Sequence, residues 1–269
     1  MHLVTRMTFV LASTALMSLA SAAQAADHKP AAIALTGDRM LHVVDTGTAT
    51  VEKSMEVQGV DRLLGIDLRP ATGQLIGVSA TFDIVEIDPE TGMATKISTM
   101  DKELPVADGA PVIVDFNPKA NKLRFMSGTT NHRVDIESGK VTVDGSLAFE
   151  SKDMHAGEAP AIVAAAYTNS HGKPETTAMY DIDSTIVALI RQTSPNDGTL
   201  AAVGKLGIEG SDVYAFDIAT DAEGNNTAWL VSGPMVHTVS LETGKVTGSW
   251  PLKGADGVKV RDITVMTAE

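Results

Sequence analysis

The segment LLGIDLRPATGQLIGVSATFDIVEIDPETGMATKI, Leu63 to Ile97, constrains this chain more than any other, because it recurs. It reads as four short strands: Leu64 to Leu68, Gln74 to Ala80, Asp83 to Asp88 and Met93 to Thr99. The turns between them are chemically specific. In Asp88-Pro89-Glu90-Thr91-Gly92 the proline presets φ and the glycine supplies the positive φ that closes a short hairpin loop. A sheet this small cannot bury both faces alone, so it needs neighbours.

The copies follow in order. VIVDFNPKANKLRFMSGTTNHRVDIESGKVTVDG places Asp115 on Asp67, Pro118 on Pro70, Leu123 on Leu75, Asp135 on Asp88 and Gly139 on Gly92. A third copy starts at Ile162 and closes its last hairpin at Ser194-Pro195-Asn196-Asp197-Gly198, and a fourth starts at Val213 with Asp217 in the Asp67 place. The tail, Val260 to Val265, reads as one more first strand carrying Asp262. Asp67, Asp115, Ala166, Asp217 and Asp262 are spaced by 48, 51, 51 and 45 residues.

Four strands at a period of about 40 to 50 residues predict a β-propeller. Three N-terminal strands (Ala31 to Thr36, Met40 to Asp45, Thr50 to Met55) lack a first strand, and the tail lacks partners. Joined, they close the ring and remove its open edge. The expected fold is all-β: a five-bladed propeller over residues 31–269, after a polar lead at 26–30. Asp101 to Ala110 and Phe149 to Pro160 break the strand rhythm and read as loops or short helical turns over one face.

Residues 1–25 read as a secretory signal peptide, with Arg6 before an apolar run from Met7 to Ala20 and a small-residue cleavage pattern at Ala23-Gln24-Ala25. That run is short for a membrane span, so a periplasmic or secreted, non-spanning monomer is expected. About 244 residues then remain, enough for a core without staples, which fits a chain with 0 cysteines. Without cysteine there is no thiolate catalysis, iron–sulfur cluster or cysteine-ligated zinc. The chain holds 34 acidic against 21 basic side chains, which argues against nucleic acid and anionic membranes and permits a cation or a basic partner.

GIDLRPATGQL, VDFNPKANKLRF, AAAYTNS, MYDID and PNDGTLAAVGKLG, in that order, resemble domain-of-unknown-function family 4394. The resemblance covers Ala31 to the C-terminus and implies an exported repeat β protein with no established activity. Ser127-Gly128 stands where that family tends to have Ser-Asp, and Asn131-His132-Arg133 where it tends to have Asn-Leu-Arg.

First strands line a propeller's channel, so Asp67, Asp115, Asp217 and Asp262 are the candidate ligand-binding residues and, if a metal binds, its ligands. A ring of carboxylates suits Ca²⁺ or another divalent cation, which takes six to eight oxygens. The same aspartates could instead accept backbone amides of the adjoining blade, and Asp67 could pair with Arg69 on its own face. His42, His132 and His237 occupy equivalent third-strand places, two of them as Met-x-His. They lie about two strand spacings of 4.8 Å outward from the inner strand, too far apart to share one metal, so packing suffices for them. Asp153, His155 and Glu158 could form a zinc or manganese site, or only a polar loop. No nucleophile elbow, P-loop or dinucleotide fingerprint is present, so no catalytic residue is named. The expected function is a non-catalytic binding module with a small molecule or protein at one mouth of the channel. The alternative is a divalent-cation-dependent hydrolase or lactonase using the aspartates.

Overall fold

The computed structural model describes residues 31–255 and 257–266; the leader and the polar lead expected at 1–30 lie outside them. The chain opens with β1 (Ala31–Thr36), β2 (Met40–Asp45) and β3 (Thr50–Glu56). Blade 1 follows as β4 (Leu63–Leu68), β5 (Leu75–Ser79), β6 (Asp83–Ile87) and β7 (Ala94–Thr99). Blade 2 is β8 (Ile113–Asn117), β9 (Lys122–Ser127), β10 (Thr130–Val134) and β11 (Val141–Val143). After the two-residue β12 (Ala148–Phe149), blade 3 is β13 (Ile162–Tyr167), β14 (Met179–Asp183), β15 (Ala188–Ser194) and β16 (Thr199–Lys205). Blade 4 is β17 (Tyr214–Thr220), β18 (Asn226–Ser232), β19 (Met235–Val239) and β20 (Val246–Pro251), and β21 (Val260–Met266) ends the chain.

These strands form five sheets, antiparallel apart from one short edge pairing, and the fold is the expected five-bladed β-propeller. β21 pairs with β1, so blade 5 has the order β21-β1-β2-β3 and the two chain ends close the ring. The one addition is β12, which lies parallel against β16 and gives blade 3 a fifth strand. It adjoins the Phe149–Pro160 linker, which runs as a loop of single hydrogen-bonded turns.

The core is divided by the ring. Five apolar clusters sit between successive blades rather than inside one sheet. Alternation along a strand sends successive side chains to opposite neighbours: Leu75 packs towards blade 5 and Ile76 towards blade 2. Every residue of β5 is therefore buried, whereas the outer β3 and β7 are largely exposed.

Backbone contacts at the rim stitch blades together. The amide of Asp101, just past blade 1, donates to the carbonyl of Gly139 in the last hairpin of blade 2 at 3.0 Å. Gly139 has φ +70°, and a Cβ there would stand 2.0 Å from the Thr99 carbonyl oxygen. Glycine serves both the turn and the close approach.

Candidate functional site

The first strand of each blade carries one residue at the level of Asp67. Hydrogen bonds fix the register. Asp67 Oδ2 accepts the Phe116 amide of blade 2 at 2.6 Å, Asp115 Oδ1 accepts the Tyr167 amide of blade 3 at 3.0 Å, and Asp217 Oδ2 accepts the Val265 amide of blade 5 at 2.6 Å. Thr264 Oγ1 accepts the Leu68 amide of blade 1 at 3.1 Å and donates to Asp67 Oδ1 at 2.8 Å. Each acceptor takes the amide one residue past its counterpart in the next blade. The ring is Asp67, Asp115, Ala166, Asp217, Thr264.

Blade 3 breaks the pattern because Ala166 has no acceptor. The Ile218 amide, which an aspartate there would have taken, is held by Asp217 Oδ1 at 2.6 Å.

Three of the four expected aspartates meet. Carboxylate oxygens of Asp67, Asp115 and Asp217 lie within 4.8 Å of one another, and all three residues are buried. Asp262 stands outside this group. It lies two residues before Thr264 on β21, where its Oδ2 accepts the Ile66 amide at 2.7 Å in the space left by Gly65. The Asp-Ile dipeptide at 262–263 imitates Asp67-Leu68, which is why the sequence register chose it. Arg69 does not pair with Asp67 either; it bonds Glu137 at 2.8 Å and Asn121 at 2.9 Å.

Burial raises the pKa of every carboxylate here. Asp67 goes well above its ordinary value through desolvation first and the Asp217 charge second, against the Phe116 amide. Asp115 is raised likewise, with Asp67 and Asp217 adding repulsion. Asp217 is pushed to about 6 by burial despite two amide bonds, and Asp262 to about 8. Asp115 keeps one oxygen without a hydrogen bond among the described residues. Above the three carboxylates opens a cleft of about 480 Å³, at the C-terminal ends of the first strands, with Ser170 and His171 on its wall.

The other candidates hold no metal-like grouping among the described residues. His42 bonds Thr36 Oγ1 at 2.8 Å and Ser54 Oγ at 2.7 Å, and His237 bonds Ser249 Oγ at 2.7 Å, so both are held by hydroxyls between strands. Burial lowers the pKa of His42, His132 and His237. In the 150–160 loop His155 bonds Glu158 at 2.9 Å, while Asp153 spends its oxygens on the His155 and Ala202 amides. Sequence reasoning missed Arg124, which is 2% exposed and bonds Asp144 at 2.7 Å, Asn131 at 2.8 Å and the Tyr167 hydroxyl between blades 2 and 3.

The family model described as domain of unknown function (DUF4394) matches residues 40–264. The chain belongs to this family. No curated protein matches the sequence. Among solved structures, a protein of unknown function from Bacteroides thetaiotaomicron is similar at 13% identity and a TM-score of 0.50, over 86% of this chain and 63% of that one. Virginiamycin B lyase from Staphylococcus aureus is similar at 15% identity and a TM-score of 0.43, over 83% and 70%. The first likeness concerns the fold alone, and the second carries no argument about this DUF4394 protein.

Proposed function

We propose that this protein is an exported, non-catalytic binding propeller whose ligand sits at the carboxylate mouth of the channel. The ligand class that fits is a hard divalent cation such as Ca²⁺, held by Asp67, Asp115 and Asp217. One observation carries the reading: three buried carboxylates with oxygens within 4.8 Å of each other, at the floor of an open cleft. Two ionised carboxylates at that separation repel by roughly 3 kcal/mol even at an effective dielectric constant near 20. Protons or a bound cation relieve this. Ca²⁺ draws on six to eight oxygens, and water in the cleft can supply those the three side chains do not. The backbone amides already on these carboxylates give the site a rigid frame, which lowers the cost of ordering it.

The test is elemental analysis of protein purified without chelator, together with melting curves in Ca²⁺ and in EDTA. The expected results are stoichiometric metal, or a melting temperature that rises with Ca²⁺ in the native chain and does not respond in Asp115→Asn. Asp115→Asn keeps the Oδ1 acceptor for the Tyr167 amide, so the ring survives the change. No metal and no Ca²⁺ response would end the cation reading. Metal-dependent turnover of an ester or lactone, lost in Asp115→Asn, would replace the binding role with a hydrolase using the same residues.

A further inference from the structure

The opposite mouth of the channel is built differently. Three residues before the carboxylate ring, each blade contributes one residue to its floor: Leu64, Val112, Val163, Tyr214 and Arg261. Four are apolar or aromatic and one is a cation. They lie under a cleft of about 970 Å³, twice the size of the carboxylate mouth and within the range of small-molecule sites. The other charged groups of this mouth, Arg62, Glu103, Asp108, Asp212 and Lys259, sit on the connecting loops and not on the floor, and the two cations are paired, Arg62 with Asp38 at 3.6 Å and Lys259 with Asp212 at 3.8 Å.

Arg261 is committed to its place. Its guanidinium donates to the carbonyls of Gly37 at 2.6 Å and of Leu64 and Asp38 at 3.0 Å, and also to Leu63. Carbonyls orient the group without cancelling its charge, and no ion pair to Arg261 exists among the described residues. A fixed positive charge therefore faces an otherwise apolar floor, in a chain with 34 acidic against 21 basic side chains.

Phe82 supplies an aromatic wall at a conformational cost. Every turn between a blade's second and third strands contains one residue with positive φ: Gly37 (52°), Phe82 (58°), Gly128 (57°), Val187 (49°) and Gly233 (56°). Glycine is the unstrained choice, and a bulky side chain there is an outlier. Phe82 lines the cleft and packs edge-on against Phe125 at 6.1 Å.

From the floor ring, its guanidinium without an ion pair and this wall, we propose that the wide mouth binds a small organic anion with an apolar, ring-containing body. Its apolar part lies against Leu64, Val163 and Phe82, and its anionic group faces Arg261. The site is separate from the cation site and stands or falls without it.

The probes are 1-anilinonaphthalene-8-sulfonate and its uncharged relative N-phenyl-1-naphthylamine, titrated by fluorescence against the folded chain, with a cooperative melt recorded for every variant. The sulfonate is expected to bind saturably at one site, with the neutral probe about tenfold weaker. Val163→Glu places an acid on the floor and Phe82→Gly removes the wall while suiting the turn; each is expected to weaken the sulfonate by about tenfold. Asp115→Asn, at the far mouth, is expected to leave it unchanged. Arg261→Leu is a poor test because it strips four carbonyls of their donor. Unsaturable binding, equal affinity for the neutral probe, or unchanged affinity in folded Val163→Glu would overturn the proposal.

Discussion

Asp67 joins three blades through one carboxylate, accepting the amides of Leu68 and Phe116 and the hydroxyl of Thr264. Removing a buried acceptor leaves its donors unsatisfied, so Asp67→Ala is expected to cost roughly 3 kcal/mol. Asp67→Asn keeps one acceptor oxygen and sheds the charge, and should cost less. Urea denaturation measures both; an alanine variant as stable as the native chain would mean that the amides find other acceptors. At this scale the sequence was legible where residue type alone carries the role. An inner-strand aspartate between apolar residues does accept amides across blades. The partners of the arginines were not legible: Arg69 turns to Glu137, and Arg124 finds Asp144 and Tyr167, because neither pairing leaves a mark in local sequence.

Strands and turns follow from local chemistry. Period-2 alternation and the Asp-x-x-x-Gly hairpins placed the strands to within a few residues of their observed bounds. The glycines have a second duty that the repeat only hinted at. Gly139→Ala must move the Thr99 carbonyl from a Cβ that would stand 2.0 Å away, as well as strain a φ of +70°. A loss of about 2 kcal/mol or more is expected in urea denaturation. By contrast Gly109, also at positive φ, has nothing within 4 Å of its would-be Cβ, so Gly109→Ala should cost only the backbone strain, about 1 kcal/mol. Equal losses at the two sites would refute the close-approach argument. β12 escaped notice because two residues are too few to show alternation.

The whole ring sets the pH response. Asp67, Asp115, Asp181 and Asp262 are all raised by burial, Asp262 to about 8. The folded chain therefore binds more protons than the unfolded one from the ordinary carboxylate value upwards, and stability falls as pH rises through that interval. His42, His132 and His237 act the other way, since their lowered values make stability rise with pH up to about 6.5. Between pH 6.5 and 8 only the carboxylates remain. In EDTA the melting temperature is expected to fall across that window, and Asp262→Asn should flatten part of the fall. A rise instead would show that these carboxylates are ionised and compensated in the folded chain. If Ca²⁺ occupies the three-carboxylate site, it should lessen the fall by replacing the protons.

By itself the sequence determined the number of blades, their strands, and the closure of blade 5 by the two chain ends. Pairings within a blade join neighbours a few residues apart, repeated at a fixed period, so local alternation and turn chemistry suffice; the closure joins β1 to β21 across the chain and was legible only because the repeat is incomplete at both ends. Only the tertiary structure decided which inner-strand residues share a level. Members of one ring are about 50 residues apart, and an Asp-Ile pair two positions early on β21 looks, in sequence, like the ring member that Thr264 in fact is. The same cause hid the second floor. Leu64, Val112, Val163, Tyr214 and Arg261 have no residue type common to all five, and what unites them is a height on the channel wall, fixed by hydrogen bonds between blades.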